Sequence, residues 1–198
     1  MSTGVALVTS DWNTSGGLNF TKTDGTLLGT VNPTGASFKP LAGASSRIYV
    51  GGIAPHTTTT GTDTTPANGR IFISEVQIPY DVTLTGVSYL IGSVGGTDKV
   101  VVALFDAGGA VLASSAVDSS VTVGTTATFQ RVPFTATYAA RAGKYFVGVQ
   151  MNGTTARVRT QAFGDHDTTT VDQTFNTLVA ITPPTTFTAS KAPISMLY

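Results

Sequence analysis

From about Ile71 onward the chain breaks into short runs of β-branched, aliphatic and aromatic residues. Several alternate with polar residues at the period of two that sends successive side chains to opposite faces of a strand. Ile71-Phe72-Ile73-Ser74-Glu75-Val76-Gln77-Ile78 stops at Pro79-Tyr80-Asp81, because proline has no N–H to give to a ladder. A strand is expected over 82–91, with Val87, Tyr89 and Ile91 on one face and Leu84 and Leu90 on the other. Gly95-Gly96 turns into Lys99-Val100-Val101-Val102-Ala103-Leu104-Phe105, whose continuous apolar run predicts a central strand covered on both faces. Asp106-Ala107-Gly108-Gly109 reads as a hairpin turn into a strand over 110–113.

Further strands are expected over 126–135 and 144–151, the second with Tyr145, Val147, Val149 and Met151 on one face. Asn152-Gly153 reads as a two-residue type I′ hairpin turn, which needs positive φ at both positions. Beyond it Ala156, Val158 and Ala162 should face one way, and Arg157, Arg159 and Gln161 the other. Weaker strands are expected over 175–181 and 194–198. Roughly eight short strands with turns between them predict an all-β fold, an antiparallel two-sheet β-sandwich of jelly-roll-like kind.

Residues 1–68 read differently. Gly16-Gly17, Asp24-Gly25, Asn32-Pro33 and Gly51-Gly52 separate short apolar clusters, none long enough to bury a core alone, and a Thr-rich run from His56 ends at Pro66. The expected organisation is an extended N-terminal arm or assembly region over 1–68, docking on its own sandwich or on a neighbouring subunit, followed by a β-sandwich domain over 69–198. The alternative is that the first segment supplies the opening strands of one single domain.

Composition sharpens this picture. Thr is the commonest residue, Gly numbers 22 and Glu occurs once, at Glu75. No window carries the apolar spacing of a capped amphipathic helix. Lys plus Arg and Asp plus Glu are both 11, so no net field draws the protein to nucleic acid or to an acidic membrane. The absence of cysteine removes disulfides, thiolate metal sites and a Cys nucleophile. The start Met1-Ser-Thr-Gly-Val-Ala-Leu-Val lacks a basic n-region and a long apolar core, and no apolar stretch reaches membrane-spanning length. An uncharged polar surface without a visible export signal fits a virion protein made in a host cytoplasm, or a mature fragment that has lost its leader.

Within 82–153, Leu84-Thr85-Gly86-Val87, then Val101-Val102-Ala103-Leu104-Phe105-Asp106, then Gly109-Ala110-Val111-Leu112-Ala113-Ser114, Phe134 and Gly143-Lys144-Tyr145-Phe146-Val147-Gly148-Val149 follow a recognisable order. It resembles the β-sandwich modules of tailed-phage fibre and head-decoration proteins and of secreted bacterial surface proteins. The resemblance covers about a third of the chain and rests on general sandwich punctuation. It implies non-enzymatic work: capsid decoration, fibre attachment or glycan binding. The implied partners are phage capsid or tail proteins, sister copies in a homo-oligomer, a trimer by analogy, and surface glycans.

Candidate chemistry is sparse. Asp165-His166-Asp167, with Asp172 nearby, offers oxygen and imidazole ligands for a metal. The competing reading is a polar loop, since neighbouring residues on a strand point to opposite faces. No Gly-x-Ser-x-Gly elbow is present, and Ser45-Ser46 lacks that setting. Asp24, Asp81, Asp106 and Asp118 sit where turns are expected, so no catalytic residue is assigned and no cofactor is expected. Gly92-Ser93-Val94-Gly95-Gly96 precedes a strand and not a helix, unlike a nucleotide-binding loop. Trp12, Tyr80 and Tyr138 are candidates for stacking on sugars or anchoring an arm. Arg157 and Arg159 are candidates for meeting an acidic patch or an anionic glycan, against the plainer reading of a solvated face.

Overall fold

The structure is a computed structural model that describes residues 9–12, 18–21, 27–32, 35–38, 48–50 and 61–198. Among the described residues there is no α-helix, and the chain divides into two compact units, 1–45 and 46–198.

The first unit holds β1 (Thr9–Trp12), β2 (Leu18–Thr21), β3 (Leu27–Asn32) and β4 (Gly35–Phe38), an antiparallel meander in the order β1-β2-β3-β4. Asn32 at the end of β3 pairs with Gly35 at the start of β4, and the rest of the Asn32-Pro33 signal lies outside the described residues. Where it is described, the segment expected to be extended is made of consecutive strands paired antiparallel.

The second unit begins at Ser46, ahead of the expected division at 68/69. It contains β5 (Ile48–Tyr49), β6 (Thr62–Thr64), β7 (Arg70–Ile78), β8 (Val82–Leu90), β9 (Val100–Asp106), β10 (Val111–Ser114), β11 (Phe129–Ala140), β12 (Gly143–Met151), β13 (Val158–Thr160), β14 (Thr168–Asp172) and β15 (Ser195–Leu197). A five-stranded sheet runs β10-β9-β12-β7-β14 and a four-stranded sheet β11-β8-β15-β5, while β13 and β6 form a separate pair. All pairings are antiparallel. Residues ahead of position 69 thus contribute strands to the second unit: β5 pairs with β15 and β6 with β13.

The main core lies between the two sheets. Phe72, Val76 and Ile78 of β7, Val102 and Leu104 of β9, and Tyr145, Val147 and Val149 of β12 meet Val87 and Tyr89 of β8, Val132 of β11 and Leu197 of β15. Side chains of this size contribute roughly 1.5–3 kcal/mol each on full burial, most of which offsets chain entropy. A second, smaller core lies on the outer face of the five-stranded sheet, where Ile71, Ile73, Ala103, Phe105 and Phe146 pack beneath Ile181, with Val171 and Leu178 at its margin. β9 is thus covered on both faces, as its apolar run predicts.

Three local expectations need correction. Leu84 lies in the main core with Val87 and Tyr89, not on the opposite face. The N–H groups of Thr85 and Gly86 both donate to the Tyr198 carbonyl, at 2.6 and 3.3 Å. Two residues opposite one make a β-bulge, which shifts the alternation by one position; residues 134–137 of β11 likewise stand opposite Thr85 alone.

Asn152-Gly153 is not a two-residue turn, because neither residue has positive φ and the next strand, β13, pairs with β6. The Asn152 side-chain oxygen instead accepts the Lys99 N–H at 2.7 Å, and Asp98 accepts the N–H groups of Thr155 and Ala156 at 2.9 and 2.7 Å. A Cβ on Gly153 would stand 2.5 Å from the Asp98 carboxylate. The glycine is there for close approach.

Residues 175–181 form no strand: they run over the outer core, with Ile181 N–H bonded to Gly109 O at 2.9 Å. The Asp106 turn is as expected, with Asp106 Oδ1 accepting the Ala110 N–H at 2.8 Å and Gly109 at φ 88.

Candidate functional site

The side chains singled out in the sequence do not converge. Trp12 lies on β1, whose side chains are outside the described residues, as is His56. Tyr80 is half-buried in the β7–β8 turn, and Tyr138, also half-buried, packs against the main core. Arg157 bonds the carbonyls of Thr154 and Thr155. Arg159 Nε lies 3.8 Å from Asp63, which also accepts the N–H and hydroxyl of Ser93. Burial works to raise the Asp63 carboxyl, but the Ser93 hydrogen bonds and the charges of Arg159 and Arg157 outweigh it and hold the carboxyl below its ordinary value. Arg159 thus links β13 to β6 and, through Asp63, to the 92–93 loop, while the Arg157 hydrogen bonds stay within its own loop. Gln161, expected beside them, is buried, whereas Ala162 is exposed. The alternation ends with β13 at Thr160.

Asp165, His166 and Asp167 diverge. The Asp165 side chain is fully exposed and 4.0 Å from His166 Nδ1. Asp167 accepts Lys144 Nζ at 2.7 Å, and Glu75 lies 3.2 Å from the same ammonium. Among the described residues no group of three or more His, Cys, Asp or Glu is placed to hold a metal ion. His166 is buried against Phe187, with ring centroids 5.5 Å apart, and neither ring nitrogen has a hydrogen-bond partner. Burial holds its imidazole below the ordinary value of 6.5, against the opposing charges of Asp165, Glu75 and Asp167. Asp172 pairs with Arg70 at 2.7 Å. Asp106 and Asp118 each accept a backbone N–H of their own turn, as expected; Asp81 instead accepts the N–H of Ala142, in the β11–β12 turn, and Asp24 lies outside the described residues.

What the structure does assemble is a groove of ≈ 200 Å³ on the outer face of the four-stranded sheet, lined by Ser88, Phe129, Arg131, Met196 and Tyr198. Register places it. Arg131 pairs with Ser88 and Ser88 with Met196, so the three stand in one row across β11, β8 and β15, with Phe129 beside Leu90 in the next. Tyr198 continues β15: its N–H donates to Gly86 O at 3.2 Å. A Cβ at Gly86 would lie 2.5 Å from Tyr198 Oη and 2.7 Å from Cζ. Only glycine lets that ring lie across β8, and there the Arg131 guanidinium sits over it, 4.1 Å from the centroid.

Such a cation–π contact is worth about 0.5–1 kcal/mol at an exposed site and fixes the orientation of an otherwise mobile side chain. Burial raises the Tyr198 phenol above its ordinary value, with the Arg131 charge acting in the other direction. Among the described residues no carboxylate pairs with Arg131. None of the five lining residues carries a motif. The available signal was the small-residue pattern Gly86-x-Ser88 on β8 and the alternation Phe129-x-Arg131 on β11, and their adjacency depends on pairing between distant segments.

No protein-family model matches the chain, and comparison with the curated proteins and with the solved structures yields no match either.

Proposed function

We propose that this chain is a non-enzymatic structural protein of a virus particle, a decoration or fibre-type subunit in which residues 46–198 are the displayed sandwich and the N-terminal region makes the attachment. The observation that carries the reading is the division into two compact units, one with its own apolar core and a second apolar layer outside it. Its charged side chains support the reading too: Asp63, Asp98, Glu75 and Asp167 hold loops to strands and are spent on structure. The balanced charge favours protein and sugar surfaces over nucleic acid, and closed symmetry makes a homo-oligomer the expected form, a trimer by analogy. Light scattering of the full chain, followed by co-sedimentation with phage particles that lack it, tests this. A closed oligomer that binds the particles is expected, and a stable monomer that does not bind them overturns it.

One observation favours a second reading, attachment to surface glycans. The Arg131–Tyr198 stack beside Phe129 joins aromatic surface to a hydrogen-bond donor, the combination a sugar ring requires.

A further inference from the structure

We infer that the groove on the four-stranded sheet is a binding site for a carboxylate-bearing sugar residue, a uronic or sialic acid within a larger glycan. The inference rests on the glycan-attachment reading and gives it a ligand class.

Charge comes first. Arg131 is exposed, its guanidinium is positioned by the Tyr198 ring at 4.1 Å, and no carboxylate among the described residues pairs with it. A guanidinium resting on a ring keeps its in-plane N–H groups for a further partner, and their fork matches the two oxygens of a carboxylate. In this inference a ligand supplies the anion that completes the row Arg131–Ser88–Met196.

The rest of the groove selects what carries the carboxylate. Phe129, half-buried at the rim, offers apolar surface to the C–H face of a ring, while buried Met196 and the Tyr198 ring under the Arg131 guanidinium form the backing of the groove. Ser88, only 4 % exposed, lines the floor, and its hydroxyl, with no side-chain hydrogen bond among the described residues, can serve a ligand hydroxyl as donor and acceptor. The volume of ≈ 200 Å³ is below the roughly 300–1,000 Å³ of sites that enclose drug-sized molecules. It admits one ring and leaves the neighbouring residues of a chain in solvent, as a glycan presents them. A free phosphate or sulfate would use Arg131 and leave the apolar walls unused.

Isothermal titration of the full chain with sialyllactose and with a hyaluronan tetrasaccharide, beside lactose and inorganic sulfate, tests the assignment. Either acidic sugar should bind, and lactose and sulfate should not. Arg131→Gln should weaken binding about tenfold or more, Arg131→Lys should restore only part of it, and Arg141→Gln, an exposed arginine outside the groove, should leave it intact. Acidic-sugar binding that is indifferent to Arg131→Gln, full retention in Arg131→Lys, or equal binding of lactose or sulfate would overturn the assignment while leaving glycan binding as such in place. Absence of binding to any member of a broad glycan array would remove both. Thermal melting of each variant confirms that the fold is unchanged.

Discussion

The outer faces of the two sheets meet the same problem in opposite ways. The five-stranded sheet turns Ile71, Ile73, Phe105 and Phe146 outward, an apolar surface that would be costly in water. The chain after β14 returns across it and seals it with Ile181 and Leu178. The four-stranded sheet carries Gly86 and Ser88 at the middle of its outer face, and no second apolar cluster lies there among the described residues. It keeps a trough, bounded by Phe129, Arg131, Met196 and Tyr198. One sheet spends a long irregular segment on coverage, and the other gives up side-chain volume and so gains a concave surface. Irregular chain is therefore no guide to the binding face of this molecule: residues 173–192 act as a lid on a core, and the concavity lies on regular strands.

The sharpest way to break this comparison is to empty the outer core. Phe105→Ala should cost about 3–5 kcal/mol and Ile181→Ala about 2 kcal/mol, read from urea unfolding midpoints. A loss below about 0.5 kcal/mol at Ile181, the level of ordinary surface changes, would mean that the return segment decorates the sheet without sealing it. Next in size, Gly86→Ala brings a Cβ to 2.4 Å from Val132 O and 2.5 Å from Tyr198 Oη. It should cost about 1–3 kcal/mol as overpacking and separate the Tyr198 ring from Arg131, which a crystal structure of the variant would show.

The third prediction concerns pH. His166 lies in the loop that leads into β14, its ring against Phe187 of the returning segment, and burial depresses its folded-state value below the ordinary 6.5. The unfolded chain therefore takes up the proton first as pH falls, so its contribution to stability is complete above 6.5 and is lost progressively below it. His166→Leu should flatten the melting-temperature profile between neutral pH and about pH 5, whereas an unchanged profile would show that this histidine does not set the acid limb. Glu75, held below its ordinary 4.5 by hydrogen bonds from the Asp167 N–H, Gln77 and Lys144 that outweigh its burial, adds a second loss below that value. Smallest of all, Arg131→Gln should cost no more than the about 0.5–1 kcal/mol of its contact with the Tyr198 ring. A larger loss would make the arginine a structural member of the sheet and not a side chain presented to a ligand.

Much of the sandwich was legible in the residues. The apolar run of β9 announced coverage on both faces, Pro79 marked the end of β7, and Asp106 with Gly109 marked the hairpin into β10. What misled was chemistry that looks local and is not. Asn152-Gly153 has the composition of a tight turn, yet Asp98, far away along the chain, organises the loop through the Thr155 and Ala156 N–H groups. Leu84 lies on an unexpected face because Tyr198, in another strand, accepts two consecutive N–H groups. β14 went unforeseen because Thr168-Thr169-Thr170 offers no apolar alternation, and its place is set by pairing with β7.

The site divides along the same line. Arginine, tyrosine and phenylalanine can be read from the chain, but the arginines with the strongest local pattern, Arg157 and Arg159, are engaged with the Asp63 carboxylate and nearby carbonyls, and what sets Arg131 apart is its place over the Tyr198 ring. The sequence by itself determined which segments become strands and where most of them stop, since side-chain period, proline and glycine act within a few residues. Only the tertiary structure decided that positions 88, 129–131 and 196–198 form one surface. Strand order and register are settled by hydrogen bonds and packing between segments far apart in the chain, and the spacing of residues within any one strand carries no record of its neighbour.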